Sequence, residues 1–103
     1  MDIHELTDAM HRFVTAQGWY APGSLRPQTI RNLVISLNLE AAELLEHFQW
    51  TEELADPEAF AGELADVALY LLQIASLSGI DLEKAILSKL ERNYQRTWDN
   101  DKR

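Results

Sequence analysis

The chain has 103 residues, of which 47% are hydrophobic, and its 9 Lys and Arg against 17 Asp and Glu give a formal net charge of −8. That length and apolar content fit one folded domain and exclude a disordered segment, and the absence of cysteine excludes disulfides, thiolate metal ligands and a Cys nucleophile. The acidity disfavours polymeric nucleic acid and anionic membranes as partners, because each phosphate needs basic groups to displace its counterions. A small phosphorylated substrate stays compatible with it if cations bridge that substrate to protein carboxylates.

Four helices are predicted, with short connections and no repeat or linker. The first runs from about Asp2 to Gln17, with Ile3, Leu6, Met10, Phe13 and Val14 as its inward stripe, and Gly18 stops it. An irregular segment, Gly18 to Pro27, carries the turn signal Pro22-Gly23. The second helix spans roughly Gln28 to Gln49, with Ile30, Leu33, Val34, Leu37, Ala41, Leu44, Leu45 and Phe48 turned inward. Asp56 before Pro57 reads as an N-cap followed by Pro at the first helical position, opening a third helix that ends at Gly79. Its stripe is Phe60, Leu64, Val67, Ala68, Leu71, Leu72 and Ala75. Asp81 caps a fourth helix, through Ile86, Leu87 and Leu90 to about Thr97, and a polar ending, Asp99 to Arg103, follows a domain placed at residues 1–98. No segment alternates with period two, so the fold class is an all-α bundle. The start, Met1-Asp2-Ile3-His4-Glu5, lacks the marks of a signal peptide, and no apolar stretch approaches a membrane span of roughly 20 residues. A soluble, cytoplasmic protein is expected.

Two acidic couples stand out: Glu40 with Glu43, and Glu63 with Asp66, each spaced i, i+3 inside an apolar helical pattern. Both carboxylates of a couple leave the same side of their helix, which costs an isolated helix roughly 0.2–0.5 kcal/mol per like-charged pair. If the second and third helices pack antiparallel, the couples face each other, and Tyr70 lies on the same side as Glu63 and Asp66. Carboxylates without His or Cys among them suit a hard cation, Mg²⁺ with Mn²⁺ as the alternative, over Zn²⁺. A di-iron bundle needs Glu-x-x-His, and His47 follows Glu43 by four residues, so that motif is absent. Spacing alone leaves two readings open, a metal site or solvated surface charge. His4, His11 and His47 are expected to be solvated, and none is assigned to metal.

The run Arg31-Asn32-Leu33, then Glu40-Ala41-Ala42-Glu43 through Phe48-Gln49-Trp50, then Glu63-Leu64-Ala65-Asp66 through Tyr70-Leu71-Leu72, resembles the MazG-like nucleotide pyrophosphohydrolases. Within them it is most similar to the dCTP pyrophosphatase branch, and the match continues through Gly79-Ile80-Asp81-Leu82 and Ser88-Lys89-Leu90-Glu91-Arg92-Asn93, covering roughly Leu6 to Trp98. The resemblance implies an all-α fold whose subunits pair, as a homodimer or a dimer of dimers, with the site at a dimer-formed four-helix core. It implies cleavage of a nucleoside triphosphate between the α and β phosphates, in nucleotide-pool cleaning. By the same resemblance Glu40, Glu43, Glu63 and Asp66 are the Mg²⁺ ligands, with Glu43 and Glu63 catalytic. Arg31, Tyr70, Lys89 and Asn93 contact the substrate, and Trp19 and Trp50 enclose the base.

Elementary chemistry agrees with those roles without requiring them. A carboxylate not saturated by metal can take the proton of an attacking water, and Glu43 is the choice here. Lys89 and Asn93 lie one turn apart on the fourth helix, and without the resemblance they are ordinary exposed residues. Trp19 and Trp50 can stack on a base or pack within the protein, and Tyr70 can hold a carboxylate rather than a nucleotide. Departures from the branch fall near the base and sugar: Gln28-Thr29-Ile30 where His-Gln-Pro is common, Thr97-Trp98 where Tyr-Pro is common, and Met10 at a His position with His11 adjacent. The expected substrate is dCTP or a modified pyrimidine triphosphate. The alternatives are a non-catalytic nucleotide-binding regulator and a helical interaction module.

Overall fold

Each helix opens on a side chain able to satisfy its first free N–H groups. The computed structural model describes residues 1–97, in four α-helices: α1 (Ile3–Ala16), α2 (Ile30–Glu46), α3 (Pro57–Leu77) and α4 (Leu82–Gln95). Asp2 Oδ1 accepts from Glu5 N at 2.8 Å, and Asp2 N donates back to Glu5 Oε1 at 3.5 Å, completing a capping box. Thr29, Asp56 and Asp81 accept from the amides three residues on, each at 3.1 Å. Thr29 as the cap starts α2 two residues later than the apolar pattern suggests. At its other end i→i−3 bonds, Phe48 N to Leu45 O and Gln49 N to Glu46 O, tighten the chain out of the helix at His47.

Two glycines turn the chain sharply. Gly18 (φ 77°) and Gly79 (φ 70°) adopt the left-handed conformation that other residues resist. In both turns the glycine N–H and the next N–H bond back into the helix, Gly18 to Thr15 and Trp19 to Val14, Gly79 to Ser76 and Ile80 to Ala75. This is the Schellman pattern, which also brings the residue after the glycine against the last turn. Trp19 accordingly meets Phe13 edge-on, with ring centroids 5.7 Å apart.

Helix α3 is central. It packs most extensively on α2, next on α1 and least on α4. Phe60 near its start receives His47 and Phe48 from the end of α2, both edge-on, at 5.2 and 5.8 Å between centroids. At 21 residues α3 is long and apolar enough to span a membrane by length and composition, against the expectation that no stretch would be. It also carries Glu63, Asp66 and Gln73 and packs against the other three helices.

The predicted stripes form as helical faces, yet few of their members are buried. Among the described residues the buried apolar side chains are Met10, Val14, Leu33, Leu72 and Ala75. Leu6, Phe13, Val34, Leu45, Leu64, Leu71, Ile86, Leu87 and Leu90 stay substantially exposed, and α4 buries no residue. The packing of α1, α2 and α4 on α3 leaves much of their apolar faces uncovered. The boundary expected at Trp98 and the polar ending lie outside the described residues.

Candidate active site

A cavity of about 640 Å³ opens between α1, α2, α3 and the loop that follows α1. Helical periodicity decides what reaches it. Asn32, Ser36 and Glu40 recur every four residues on α2, and Asp66, Tyr70 and Gln73 at i, i+4, i+7 on α3, so each helix presents a polar line. Met10, Phe13 and Val14 of α1 form an apolar wall, and Trp19, Arg26 and Gln28 close the loop side. The Arg26 guanidinium sits over the Trp19 ring, 5.5 Å from its centroid, which holds the indole from the solvent side.

The carboxylates gather at one end. Glu40 and Asp66 line the cavity, and Glu40 is half-buried. Burial raises the Glu40 pKa from its ordinary value, and the negative charges of Glu43, Asp66 and Glu63 raise it further. The couples on α2 and α3 are therefore near enough to repel one another, as the antiparallel arrangement requires. Glu63 is held from the side, with His47 Nε2 2.5 Å from its Oε2. Neither Glu43 nor Glu63 lines the cavity itself, and among the described residues no three acidic or imidazole side chains are closed around a point where a cation would sit. By donor type and sign the four carboxylates fit a hard divalent cation; to hold one together their side chains must rotate inward.

Of the residues singled out from sequence, Trp19, Glu40, Asp66 and Tyr70 share this cavity. Arg31 is exposed outside it, and its neighbour Asn32 faces in. Trp50 is 88% exposed beyond the end of α2. Lys89 and Asn93 border a separate groove of about 280 Å³ on α4, with Ala85, Ile86 and Leu90. One chain thus does not bring Trp50, Lys89 or Asn93 to the carboxylates.

Two histidines depart from the solvated state expected of them. His47 bonds Glu63, and His11 bridges Tyr20 Oη and Ser76 Oγ, each at 2.7 Å. Gln73, Gln28 and Tyr20 were not among the sequence candidates either. Gln73 is 3% exposed and joins Tyr20 and Gln28 by hydrogen bonds of 3.1 and 2.8 Å. A single amide inside Leu71-Leu72-Gln73-Ile74-Ala75 was the available signal, since a polar residue in such a run must find partners.

Comparison with known proteins gives this arrangement a family. The MazG-like family model matches residues 35–103, a span that holds both acidic couples. The chain belongs to the MazG-like family. A crystal structure of a pyrophosphatase from Archaeoglobus fulgidus DSM 4304 superposes with a TM-score of 0.72 at 34% identity, covering 90% of this chain and 89% of that one. The all-α MazG-like fold expected from the sequence is therefore the fold observed. The chain is 38% identical over 76 residues to dCTP pyrophosphatase 1 of Rattus norvegicus, covering 64% of this chain and 44% of the rat protein. It is 40% identical over 81 residues to a dATP/dGTP diphosphohydrolase of Salmonella phage PMBT28, covering 79% of this chain and 24% of the phage protein. This MazG-like chain thus spans less than half the length of either curated relative.

Proposed function

We propose that this protein hydrolyses a nucleoside triphosphate to the monophosphate and pyrophosphate, with Mg²⁺ (or Mn²⁺) as cofactor. One observation carries the reading: a single cavity joins a carboxylate end, Glu40 and Asp66, to an aromatic and amide end, Phe13, Trp19 and Gln73. A nucleotide has the same polarity, phosphates at one end and an aromatic base with hydrogen-bonding edges at the other. The pyrophosphatase names of the archaeal structure and the rat relative and the diphosphohydrolase name of the phage relative support it.

Glu40, Glu43, Glu63 and Asp66 would hold the metal. When bound, the metal would polarise the α-phosphate, offset charge on departing pyrophosphate and lower the pKa of a water. The water oxygen bonds to the α-phosphorus, the bond from that phosphorus to the bridging oxygen breaks, and pyrophosphate carries off the electron pair. Glu43 takes the water's proton, and His47 keeps Glu63 oriented. Trp19, which lines the cavity, stacks on the base, worth about 1–3 kcal/mol per stacked ring. Tyr70 contacts the nucleotide between the two ends.

The substrate proposed is dCTP or a modified pyrimidine deoxynucleotide, consumed in a cytoplasmic nucleotide-cleaning role. The homologous names span pyrimidine and purine, so base choice must come from this chain's own cavity. A homodimer or dimer of dimers would let Arg31, Trp50, Lys89 and Asn93 of a neighbouring copy approach the site. The test is pyrophosphate release from a panel of ribo- and deoxyribonucleoside triphosphates, with Mg²⁺ or EDTA, beside Glu63→Gln. Metal-dependent release that disappears in the variant supports the hydrolase; nucleotide binding without any release would make the protein a regulator instead.

A further inference from the structure

Among the described residues Gln73 is the one buried polar side chain beside Met10, Val14, Leu33, Leu72 and Ala75, and it lines the cavity. Its partners determine which end of the amide is which. Gln28 Nε2 donates to the backbone carbonyl of Arg26 at 2.7 Å. A carbonyl only accepts, so the nitrogen of Gln28 belongs there and its Oε1 faces Gln73. Gln73 Nε2 donates one hydrogen to that oxygen at 2.8 Å and the other to Tyr20 Oη at 3.1 Å. His11 extends the line, with Nδ1 2.7 Å from Tyr20 Oη and Nε2 2.7 Å from Ser76 Oγ. Burial raises the Tyr20 pKa, which keeps the phenol protonated. Donation spreads outward from Gln73, toward Gln28 on one side and Tyr20 on the other, and the Arg26 carbonyl, which only accepts, fixes it.

Both amide hydrogens of Gln73 are thereby committed, and the carbonyl oxygen, an acceptor, is what the residue has left for the cavity. Gln73 lies seven residues along α3 from Asp66, about 10 Å at 1.5 Å per residue. A nucleotide whose phosphates sit at the carboxylate end reaches Gln73 with the far edge of its base. In cytosine or adenine that edge bears an exocyclic amino group, a donor; in uracil or hypoxanthine a keto oxygen replaces it.

We propose that Gln73 sets the base preference of this site, its locked carbonyl accepting a hydrogen bond from an exocyclic amino group and rejecting a keto group in the same place. The inference rests on the nucleotide reading of the cavity. Two acceptors facing each other away from water leave both unpaired, which is how a polar site discriminates strongly between ligands of one shape.

Deoxynucleoside monophosphates test it without turnover. Calorimetry on the full chain compares dCMP with dUMP and dAMP with dIMP, pairs that exchange amino for keto. The expected result is a preference of roughly tenfold or more for the amino member of each pair, the range a well-placed polar contact gives. Gln73→Met should bring that ratio close to one. Tyr20→Phe leaves Gln73 in place but releases one amide hydrogen, and should lower the ratio; it decides alone if Gln73→Met does not fold. A wild-type ratio near one, a ratio unchanged in the folded variants, or no binding of any of the four overturns the proposal. If the ratios behave as expected while no triphosphate yields pyrophosphate, the hydrolase reading fails and the role of Gln73 stands. Pyrophosphate release with no amino preference does the opposite: the hydrolase stands and the role of Gln73 falls.

Discussion

Glu40 is half-buried beside three other negative charges, and that placement has a measurable cost. Its pKa in the folded protein lies above the ordinary 4.5, so between those values the folded state binds more protons than the unfolded one. Stability therefore falls as pH rises through that window, and above it the penalty is fully present. In metal-free protein Glu40→Gln should raise the melting temperature at pH 7, with the gain shrinking as pH drops toward 4.5; an unchanged or lower value at pH 7 would show that the four carboxylates do not strain one another. His47 bears on the same cluster through Glu63. Replacing a group that orients a metal-binding carboxylate weakens metal affinity or activity by about 10–100-fold. His47→Leu should accordingly raise the Mg²⁺ concentration for half-maximal pyrophosphate release by that order, and an unaltered Mg²⁺ curve would reduce His47 to packing on Phe60. The carboxylate couples were legible because i, i+3 spacing is local. The partnership of His47 with Glu63 was not, because it depends on how α2 and α3 are registered across 16 residues of chain.

At the level of elements, the capping residues were readable one by one, because each acts on amides within its own first turn. Asp56 both caps α3 and precedes its Pro57, so loss of its side chain removes the acceptor for Ala59 N while Pro57 persists. Asp56→Ala should cost about 1 kcal/mol, the usual value of an N-cap. In a domain of this size that corresponds to a melting temperature lower by about 4–8 °C, checked by thermal denaturation followed by circular dichroism. The loop between α1 and α2 was legible only as a loop. That Gly18 would fold Trp19 back on Phe13 follows from the Schellman turn, and that Arg26 would cover the indole follows from the path of the rest of the loop; neither is written in composition. Periodicity likewise identified the apolar faces of α2 and α4 without saying what covers them. A stripe records that a helix side avoids water; the surface it meets can lie in the same chain or in another.

For the whole molecule that distinction becomes quantitative. The accessible surface is 8072 Å², whereas a compact monomer of this mass exposes about 5,900 Å² by the size scaling of folded proteins. The radius of gyration, 16.6 Å, likewise exceeds the roughly 13 Å of a compact chain of this length. Large apolar side chains contribute to the surplus: Leu39, Leu45 and Trp50 around α2, and Leu87, Leu90 and Tyr94 on α4, with Tyr94 90% exposed. An interface of standard size removes about 800 Å² per partner, so the surplus is enough for an extensive one. Lys89 and Asn93 border the groove on the adjoining side of α4, which shares Leu90 with this stripe, away from the cavity of their own chain. A second copy laid against α4 would bury the stripe and could carry those residues to the neighbouring carboxylates, uniting the site residues that one chain keeps apart. The double variant Leu87→Glu, Leu90→Glu places charges in the middle of that face, where they are harmless to an isolated helix and prohibitive in an apolar contact. By sedimentation equilibrium the unaltered chain should run as a dimer or larger, with a melting temperature that rises with concentration, and the double variant as a monomer with little pyrophosphate release. A wild-type monomer that is fully active would mean the exposed stripe serves some other purpose, and that Lys89 and Asn93 take no part in the reaction.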